Sequence, residues 1–396
     1  MSATPTEAFD VVIVGGAAVG SAAAYFLASD PGFGGRVLVL ERDPSYRDSA
    51  TARSAASIRH QFSTPGNIRL SMFGTRFLRE AAERLSVDGE APAIGFREGG
   101  YLFLASAAAL PVLQANHRTQ RAEGADVALL SPAALASRFP WLATGDLAGG
   151  SLGLSGEGWL DAFALMQGLR RKAQSLGVVY RAVAASGLRR EGRRVVGVEL
   201  ADGAFVAAGT VINAAGTGAA ALARSAGIEL PVRAKKRCVF HFRSPARLPG
   251  CPLVIDPSGL YFRPEGEGFI CGIAPGPDED PDSDDFEVPL AWWEDRLWPA
   301  LAARVPGFEA ARLLSAWAGH YDMNLLDHNL ILGAHPALDG LLFANGFSGH
   351  GLQQAPAVGR ALAELVVHGG FRTLDLAEFG WARALEGRPL LELNVV

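Results

Sequence analysis

The sequence predicts an α/β protein of two parts: a parallel-sheet domain assembled from separated segments, and an antiparallel-sheet domain inserted among them. Three observations carry this prediction. The N-terminus reads strand, glycine loop, helix and strand; residues 231–320 hold short β-like runs between proline-rich acidic loops; and a second strand, glycine loop and helix begin at residue 340. Because 396 residues exceed what one hydrophobic core usually organises, we expect two domains.

The first unit is a βαβ arrangement. Residues 9–14 form a continuous apolar run, which is typical of a strand buried on both faces. Residues 21–28 are rich in alanine and predict a helix packed close against a sheet, and Pro31 ends this helix. Residues 36–40 predict a second strand, which ends at Glu41. Together these elements predict a parallel pair of strands with a helical crossover.

The remaining chain alternates between predicted helices and short strands. Helices are predicted at residues 68–85, 161–176 and 356–367. Strands are predicted at residues 100–104, 178–180, 195–200, 204–207, 211–214, 237–242, 259–263, 268–272 and 340–345. We assign residues 1–95, 151–230 and 321–396 to the parallel-sheet domain, and residues 96–150 and 231–320 to the inserted domain. Residues 278–285, although acidic, predict an exposed loop and not a metal site, because their prolines hold the carboxylates apart.

The composition argues against several classes of partner. A formal net charge of −5 gives no electrostatic reason to expect nucleic acid or an anionic membrane surface. The arginines around Gly192 read as a solvated hairpin turn. Three cysteines without paired spacing indicate neither a disulfide framework nor a zinc site. No signal-peptide pattern and no run of about 20 apolar residues is evident, so we expect a cytoplasmic protein without an integral membrane segment.

The glycine loop after the first strand fits a dinucleotide pyrophosphate, because a helix N-terminus offers N–H groups and the positive end of its dipole. The loop reads Gly15, Gly16, Ala17, Ala18, Val19 and Gly20. Ala17 therefore replaces the middle glycine of the usual G-x-G-x-x-G pattern. Glu41 lies 21 residues beyond Gly20, at the end of the next strand, where a carboxylate can accept both hydroxyls of an adenosine ribose. The alternative is an ordinary α/β turn followed by a chance acidic residue.

The choice between FAD and a nicotinamide cofactor rests on the C-terminal glycine loop. The chain holds one dinucleotide fingerprint, which disfavours an enzyme that binds both cofactors. The strand, glycine loop and helix of residues 340–367 predict a second element aimed at the same cofactor. A helix N-terminus at the pyrimidine edge of a flavin would stabilise the negative charge of the reduced ring. We therefore predict FAD.

These motifs resemble those of the D-amino-acid-oxidase-like (DAO) flavoproteins, which include sarcosine oxidase, glycine oxidase and D-arginine dehydrogenase. The similar segments are VVIVGGAAVGSAAAYFLA, SATARSAASIRHQF, VINAAG, WAGHYDMN and GFSGHGLQQAPAVGRALAELV. The segments QFSTPGNIRLS, PSGLYFR, SAWAGHYD and GFSGHGLQQAP also resemble those of a mitochondrial member of this family that is linked to complex I assembly. The resemblance implies a Rossmann-like FAD-binding domain with an inserted antiparallel-sheet substrate domain.

The resemblance also implies which residues contact FAD. Residues 53–56 would wrap the flavin, Val183 would meet the adenine, and residues 346–353 would contact the isoalloxazine and ribityl chain. The expected contacts are Gly15, Gly16, Ala17, Ala18, Val19, Gly20, Glu41, Arg42, Arg53, Ser54, Ala55, Ala56, Val183, Ala214, Gly216, Gly346, Ser348, Gly349, His350, Gly351, Leu352 and Gln353. The cysteine and histidine that attach flavin covalently in some members are missing at the matching positions, so the FAD should be noncovalent.

The expected reaction removes a hydride from the carbon next to nitrogen and leaves an imine that water hydrolyses. A planar guanidinium can hold a substrate carboxylate bidentately. Arg59 resembles the carboxylate-binding arginine of sarcosine oxidase, and Arg237 resembles a pocket arginine of D-arginine dehydrogenase. Arg263 lies on a predicted strand of the inserted domain. For each arginine, the alternative is a surface salt bridge.

Tyr261 and Tyr321 are candidates to roof the substrate pocket and donate hydrogen bonds, or else ordinary half-buried tyrosines. Gln353 stands where sarcosine oxidase has a lysine that pairs with the carboxylate arginine, so sarcosine is disfavoured as the substrate. Ile270 matches the position of a lysine that promotes reaction with O₂, which favours a dehydrogenase. The electron acceptor remains open among O₂, a quinone and a carrier protein. Oxidation of a 2-hydroxy acid, or an assembly role with structural FAD and no turnover, are the alternatives.

Overall fold

A computed structural model describes residues 7–393 and shows two eight-stranded sheets and one two-stranded sheet. The strands are β1 Glu7–Val14, β2 Val37–Glu41, β3 Ser57–Ile58, β4 Tyr101–Ala105, β5 Val127–Leu130, β6 Gly149–Gly153, β7 Gly158–Trp159, β8 Val179–Ala182, β9 Ala185–Glu191, β10 Arg194–Leu200, β11 Phe205–Asn213, β12 Val232–Arg243, β13 Leu253–Ile255, β14 Tyr261–Glu265, β15 Gly268–Gly272, β16 Arg312–Asn324, β17 Ile331–Ala334 and β18 Leu341–Asn345.

The helices surround the sheets. They are α1 Ala18–Ser29, α2 Pro65–Arg79, α3 Ala81–Arg84, α4 Leu110–Ala122, α5 Pro132–Arg138, α6 Ala162–Ser175, α7 Ala219–Ser225, α8 Trp298–Arg304, α9 Gly351–His368 and α10 Trp381–Glu386. Short 3₁₀ segments occur at Gly216–Gly218, Pro277–Glu279, Pro306–Ala310 and Ala377–Phe379, and a π-helical turn occurs at Trp293–Leu297. None of the helices within residues 7–393 is both long enough and apolar enough to cross a membrane.

The first sheet has the strand order β17-β18-β11-β1-β2-β8, and the β9–β10 hairpin joins it through β11. Strands β18, β11, β1, β2 and β8 run parallel to one another. Side chains on both faces of β1 are buried, as expected for a central parallel strand covered by helices. The parallel strands therefore end at a common edge, which is where this class of sheet binds its ligands.

Helices α1 and α9 cover one face of this sheet and pack closely against each other. A Cβ at Gly359 on α9 would lie 2.7 Å from the Cβ of Ala22 on α1. The small residues of α1 therefore allow close contact with another helix as well as with the sheet. This packing brings the N-termini of two helices from opposite ends of the chain to the same sheet.

The second sheet has the strand order β16-β12-β15-β14-β13-β4-β6-β5. Its neighbouring strands are antiparallel except for β13 and β4, which are parallel, so the expected antiparallel sheet is a mixed one. One face packs on an aromatic core in which the rings of Phe242, Phe262 and Phe269 each contact Phe308. The other face carries Tyr101 and Tyr261 and belongs to the candidate active site.

Two expectations about element boundaries were wrong, and one predicted domain boundary coincides with a strand. The predicted strands at residues 204–207 and 211–214 are one strand, β11, because Gly209 stays extended within it. The helix predicted at residues 356–367 is α9, which begins at Gly351, and Pro356 lies inside it. The predicted domain boundary at residue 320 falls inside β16, which is continuous to Asn324. The division into five domain segments otherwise stays a prediction.

Candidate active site

The first glycine loop is shaped by close backbone contacts. Gly15 has a φ of 98°, a conformation that favours glycine, and a Cβ there would overlap the carbonyl oxygen of Ala214. A Cβ at Gly20 would overlap the carbonyl oxygen of Gly15. The loop therefore requires glycine at its first position for the turn and at its last for contact between helix and strand.

Ala17 fits the loop because its backbone does not need glycine. It is the N-cap of α1, with φ −71° and ψ −161°, and its side chain makes no capping hydrogen bond. No acidic side chain lies in the first turn of α1. The first turn of this 12-residue helix therefore places no carboxylate near its own N-terminal N–H groups, and this arrangement fits a pyrophosphate.

Glu41 lies at the end of β2, beside this loop, as predicted. Its carboxylate accepts hydrogen bonds from the backbone N–H of Gly16 over 2.9 Å and of Asp43 over 3.0 Å. These bonds fix the carboxylate while leaving it further acceptor capacity for ribose hydroxyls. Val183 directly follows β8, whose Ala182 pairs with Glu41. Arg42 is exposed just beyond the strand.

Residues 53–56, expected to wrap the flavin, are tied to the second sheet. The indole N–H of Trp317 donates to the carbonyl oxygen of Arg53 over 2.9 Å. The Arg53 guanidinium donates in turn to the carbonyl oxygen of Ala318 over 3.0 Å. Ala56 has a φ of 55°, and its N–H donates to the hydroxyl of Ser54 over 3.2 Å. The segment is therefore held in one conformation by hydrogen bonds to strand β16.

Arg263 also holds this segment, and its hydrogen bonds favour a positioning role over the predicted contact with substrate. Its Nη2 and Nε donate to the carbonyl oxygen of Ala55 over 2.7 and 3.2 Å. Its Nη1 donates to the carbonyl oxygen of Pro264 over 2.8 Å and to Glu265. Because this buried guanidinium is committed to the chain's own acceptors, Arg263 is a positioning residue for the 53–56 segment.

The second glycine loop lies between β18 and α9. Gly346, Ser348 and Gly349 have φ values of 76°, 53° and 97°, so the loop turns sharply through three left-handed residues. The carboxylate of Asp322 accepts the Gly346 N–H over 2.8 Å, and burial raises the pKa of Asp322 to about 6. His350 is the N-cap of α9, and its side chain does not cap the helix.

The other predicted cofactor residues surround these two loops. Gly351 and Leu352 open α9 and are partly exposed. Ala214 donates its N–H to the carbonyl oxygen of Val14 over 2.9 Å, next to the first glycine loop. Gly216 follows with a φ of 53°. Both lie at the carboxyl end of β11, at the sheet edge where β1 and β18 also end.

Arg59 connects the expected substrate site to the second glycine loop. The residue is 4% exposed, and its Nη2 lies 3.1 Å from Nε2 of His350. Its backbone N–H donates to the side-chain oxygen of Gln353 over 2.9 Å. The ring of Phe62 lies 4.5 Å from the guanidinium carbon of Arg59. A buried cation is thus placed beside the helix N-terminus that should face the flavin.

Three tyrosines lie around this arginine. The ring of Tyr321 packs so closely on Gly349 that a Cβ there would overlap it. Tyr261 is in electrostatic contact with Tyr321 and Tyr101. Burial raises the pKa of all three hydroxyls, that of Tyr101 to about 12. Tyr101 escaped prediction because an apolar strand such as YLFLA gives no sign of which face it presents.

Glu157 is a second residue that sequence reasoning missed. It is 0% exposed and accepts the backbone N–H groups of His60 and Gln61 over 2.5 and 3.0 Å. The side-chain amide of Gln61 donates to its other oxygen over 2.9 Å. Burial raises the pKa of Glu157 to about 7. The position of Glu157 between two glycines was the available signal, because such residues allow close backbone approach.

The structure therefore brings Arg59, Tyr261 and Tyr321 together, as predicted. Arg237 lies near Tyr321, with its guanidinium carbon 5.4 Å from the ring, but it forms a bidentate ion pair with Asp280. This acidic partner lies in the loop predicted to be merely exposed. Arg237 is accordingly a site residue whose anion-binding edge is already occupied.

Comparison with known proteins places this geometry in context. The DAO family, described as FAD dependent oxidoreductase, matches residues 10–365. The chain is 42% identical to FAD-dependent oxidoreductase domain-containing protein 1 of Xenopus laevis, over 99% of this chain and 86% of that protein. Among solved structures, L-proline dehydrogenase from P. horikoshii has a TM-score of 0.86 at 25% identity, covering 97% of this chain and 100% of the other. Glycine oxidase from Geobacillus kaustophilus has a TM-score of 0.80 at 26% identity, covering 96% and 99%.

Proposed function

Because the chain belongs to the FAD-dependent oxidoreductase family, we propose that it oxidises the carbon–nitrogen bond of a small amine or amino acid. FAD, when bound, accepts a hydride from the carbon next to nitrogen, and water then hydrolyses the released imine. Similarity to a proline dehydrogenase and a glycine oxidase supports this class of substrate. Everything else in the reaction depends on how the chain's own residues bind and orient the two molecules.

The FAD is held noncovalently in this proposal. The first glycine loop and the N-terminus of α1 would bind the pyrophosphate, and Glu41 would bind the adenosine ribose. The loop of residues 346–350, whose backbone Asp322 fixes, and the N-terminus of α9 would hold the ring system. The fit rests on two observations: the crowded glycines of the first loop, and two helix N-termini at one sheet edge whose N-cap side chains make no capping hydrogen bond. At α1, the Ala18 N–H donates to the hydroxyl of Thr51 over 3.3 Å.

The buried Arg59 is the single observation that carries the substrate proposal. The residue is 4% exposed, and its guanidinium lies beside His350, at the N-terminus of the helix expected to face the flavin. Its hydrogen-bonded neighbour His350 is neutral, because burial and the Arg59 charge lower the His350 pKa well below its usual value. A substrate carboxylate bound bidentately to Arg59 would hold the amine end in one orientation. An amino acid is therefore favoured over a simple amine.

The three surrounding tyrosines are suited to donating hydrogen bonds and not to abstracting a proton from the substrate. Their raised pKa values keep all three hydroxyls protonated at neutral pH. Tyr101, Tyr261 and Tyr321 are then hydrogen-bond donors that orient the substrate and exclude water. A general base is not needed if the amine enters the site unprotonated.

We favour a dehydrogenase that passes electrons to a quinone or a carrier protein. Ile270, at the position matched to an oxygen-activating lysine, is buried. The three lysines of the sequence are bonded elsewhere: Lys172 to the carbonyl oxygen of Ser86, Lys235 to Asp282 and Lys236 to Asp285. No lysine of the chain therefore places its ammonium group at the position of Ile270.

The test is anaerobic reduction of the purified, yellow protein. N-methyl amino acids, D- and L-amino acids, amines without a carboxylate and 2-hydroxy acids are added in turn while the flavin band near ~450 nm is recorded. Bleaching by amino acids but not by the matching decarboxylated amines supports the proposal. Bleaching by 2-hydroxy acids alone would contradict the choice of the carbon–nitrogen bond. Slow recovery of colour in air and fast recovery with a quinone would support a dehydrogenase.

A further inference from the structure

Glu392 places its carboxylate at the N-terminus of α2. Its two oxygens accept the backbone N–H groups of Ser63 and Thr64 over 2.7 and 2.9 Å, and the hydroxyls of both residues also donate to it. Glu392 is buried, and no acidic side chain lies in the first turn of α2 itself. The carboxylate therefore supplies, from 328 positions away, the negative charge that the positive end of this 15-residue helix favours.

The chain on either side of Glu392 is also fixed. The backbone N–H of Leu390 donates to the carboxylate of Asp327 over 3.0 Å. The backbone N–H of Leu393 donates to the hydroxyl of Ser63 over 2.9 Å. An ordered segment thus presents the Glu392 carboxylate to α2, and this carboxylate is not a loosely placed surface group.

A relay of two buried amides joins this carboxylate to α9. Nδ2 of Asn67 donates to Glu392 over 3.1 Å and to Oδ1 of Asn329 over 2.7 Å. Oδ1 of Asn67 accepts the side-chain N–H of Gln354 over 2.8 Å. An ionised carboxylate can only accept hydrogen bonds, so it favours the orientation in which Asn67 turns its NH₂ group toward Glu392. The Asn67 oxygen is then the acceptor that remains for Gln354.

Gln354 lies in the first turn of α9, which has little room to move. Its backbone N–H donates to the carbonyl oxygen of His350 over 3.2 Å, at the end of the second glycine loop. On the other side, α2 packs against the same turn, because a Cβ at Gly74 would overlap the carbonyl oxygen of Gln353. A displacement of the Gln354 side chain is therefore passed to the backbone at the helix N-terminus.

We propose that Glu392 is a positioning residue: through Asn67 and Gln354, it holds the first turn of α9 where the positive end of the helix stabilises reduced FAD. The inference rests on the proposed function for the placement of α9 against the flavin ring. A helix dipole acts within its first turn, so a looser turn stabilises the negative charge of the reduced ring less well. Loss of the Glu392 carboxylate should therefore lower the reduction potential of the bound FAD.

The reduction potential is measured on the FAD-loaded protein by anaerobic reduction with dithionite in the presence of a reference dye. Glu392→Gln removes the charge with little change of shape. Glu386→Gln, at an exposed ion pair with Arg388, is the control. We expect Glu392→Gln to weaken the binding of reduced FAD about tenfold more than that of oxidised FAD, which lowers the potential by about 30 mV. The control should keep the wild-type potential.

A double-mutant cycle tests whether Glu392 acts through the relay. Gln354→Met removes the last amide and should also lower the potential. The variant with both changes should then have no lower a potential than the lower of the two single variants. The proposal is overturned if the two shifts add in full. It is also overturned if Glu392→Gln lowers the free energy of unfolding but leaves the potential unchanged, since a merely structural contact would give that result.

Ser63→Ala takes the place of Glu392→Gln if that variant does not fold. It removes one donor to the carboxylate and keeps the charge, so we expect a smaller effect of about threefold, or about 15 mV. A potential equal to that of the wild type would then overturn the proposal.

Leu352→Asp separates a failure of this inference from a failure of the proposed cofactor placement. A carboxylate in the first turn of α9 should lower the potential if the helix faces the flavin, whatever the role of Glu392. If Leu352→Asp lowers the potential and Glu392→Gln does not, the placement stands and the inference fails. If neither lowers it, α9 does not face the flavin and both fail. These measurements need no substrate, so their outcome is independent of whether any amine reduces the flavin.

Discussion

Arg59 donates a hydrogen bond to Nε2 of His350 across 3.1 Å. Since a guanidinium can only donate, Nε2 must accept, and the proton of the neutral imidazole must lie on Nδ1. His350 is also the N-cap residue of α9. The residue expected to hold the substrate and the helix expected to face the flavin are therefore directly connected. A substitution that keeps the positive charge of Arg59 but changes its shape can therefore test the two properties separately.

Arg59→Lys should weaken substrate recognition without loss of the cofactor. Lysine keeps the charge but loses the planar pair of donors. We expect kcat/KM for amino acids to fall about 10- to 100-fold, mostly through KM, by analogy with other charge-assisted bonds. The control is Arg69→Lys, at an exposed ion pair with Glu123. An equal fall for amines without a carboxylate would contradict the assigned role.

Arg263→Gln should have the opposite signature. The change removes the two hydrogen bonds to the carbonyl oxygen of Ala55, so the FAD dissociation constant should rise about tenfold. The KM of the FAD-saturated enzyme should stay within about twofold. Equilibrium dialysis measures the first quantity and steady-state kinetics the second. Arg243→Gln, at an exposed position on β12, is the control; a large rise in KM for Arg263→Gln would restore its predicted contact with substrate.

Substitutions at different positions of the first glycine loop should have very different effects on FAD binding. Gly20→Ala should abolish FAD binding, because its Cβ would overlap the carbonyl oxygen of Gly15. Ala17→Gly, which restores the usual motif, should change the FAD affinity by less than about threefold and should not lower stability, because glycine is preferred to alanine at an N-cap. Flavin fluorescence titration and chemical denaturation check the two variants. A strong gain of affinity in Ala17→Gly would show that Ala17 obstructs the pyrophosphate.

Glu157 should make the stability of the protein depend on pH. Burial raises its pKa from 4.5 to about 7, so the folded state binds the proton more tightly than the unfolded state. Its contribution is fully present below pH 4.5 and is lost as the pH rises through about 7, a change of about 3 kcal/mol.

Glu157→Gln should remove this dependence. The side chain of Gln61 has a buried oxygen without a hydrogen-bond partner, which can turn to accept from the new amide. Urea denaturation of the wild type and the variant at several pH values between 5 and 8 measures the difference in unfolding free energy. Parallel profiles for the two proteins would show that Glu157 does not titrate in this range.

Sequence patterns were most informative where one segment determines its own structure. The first βαβ unit follows from an apolar run, crowded glycines and Glu41, which all lie within 35 residues of one another. Strand β6 (GGSLG) was missed, because glycine gives no hydrophobic alternation and lowers strand propensity. The prediction that α9 starts at Pro356 followed proline's preference for helix N-termini, whereas the structure begins the helix one turn and a half earlier.

Contacts between distant segments could not be read from local patterns. Asp280 reaches Arg237 across 43 positions, and Glu157 reaches His60 across 97. No periodicity relates such pairs: Asp280 lies in a loop beside β12, and Glu157 and His60 flank the pairing of β7 with β3. The strand that carries Arg263 could be predicted, but its hydrogen bond to Ala55, 208 positions away, could not, because no local pattern indicates such a contact.

The hydrogen bonds from Trp317 and Arg263 to residues 53–56 restrict how the protein can be recombined with its relatives. Both donors belong to the second sheet, whereas both acceptors belong to the segment expected to wrap the cofactor. A chimaera that exchanges the second sheet for that of another family member would replace these donors without altering a single cofactor contact. Its affinity for FAD should nevertheless change with the source of the second sheet. The two parts of the protein are therefore not interchangeable.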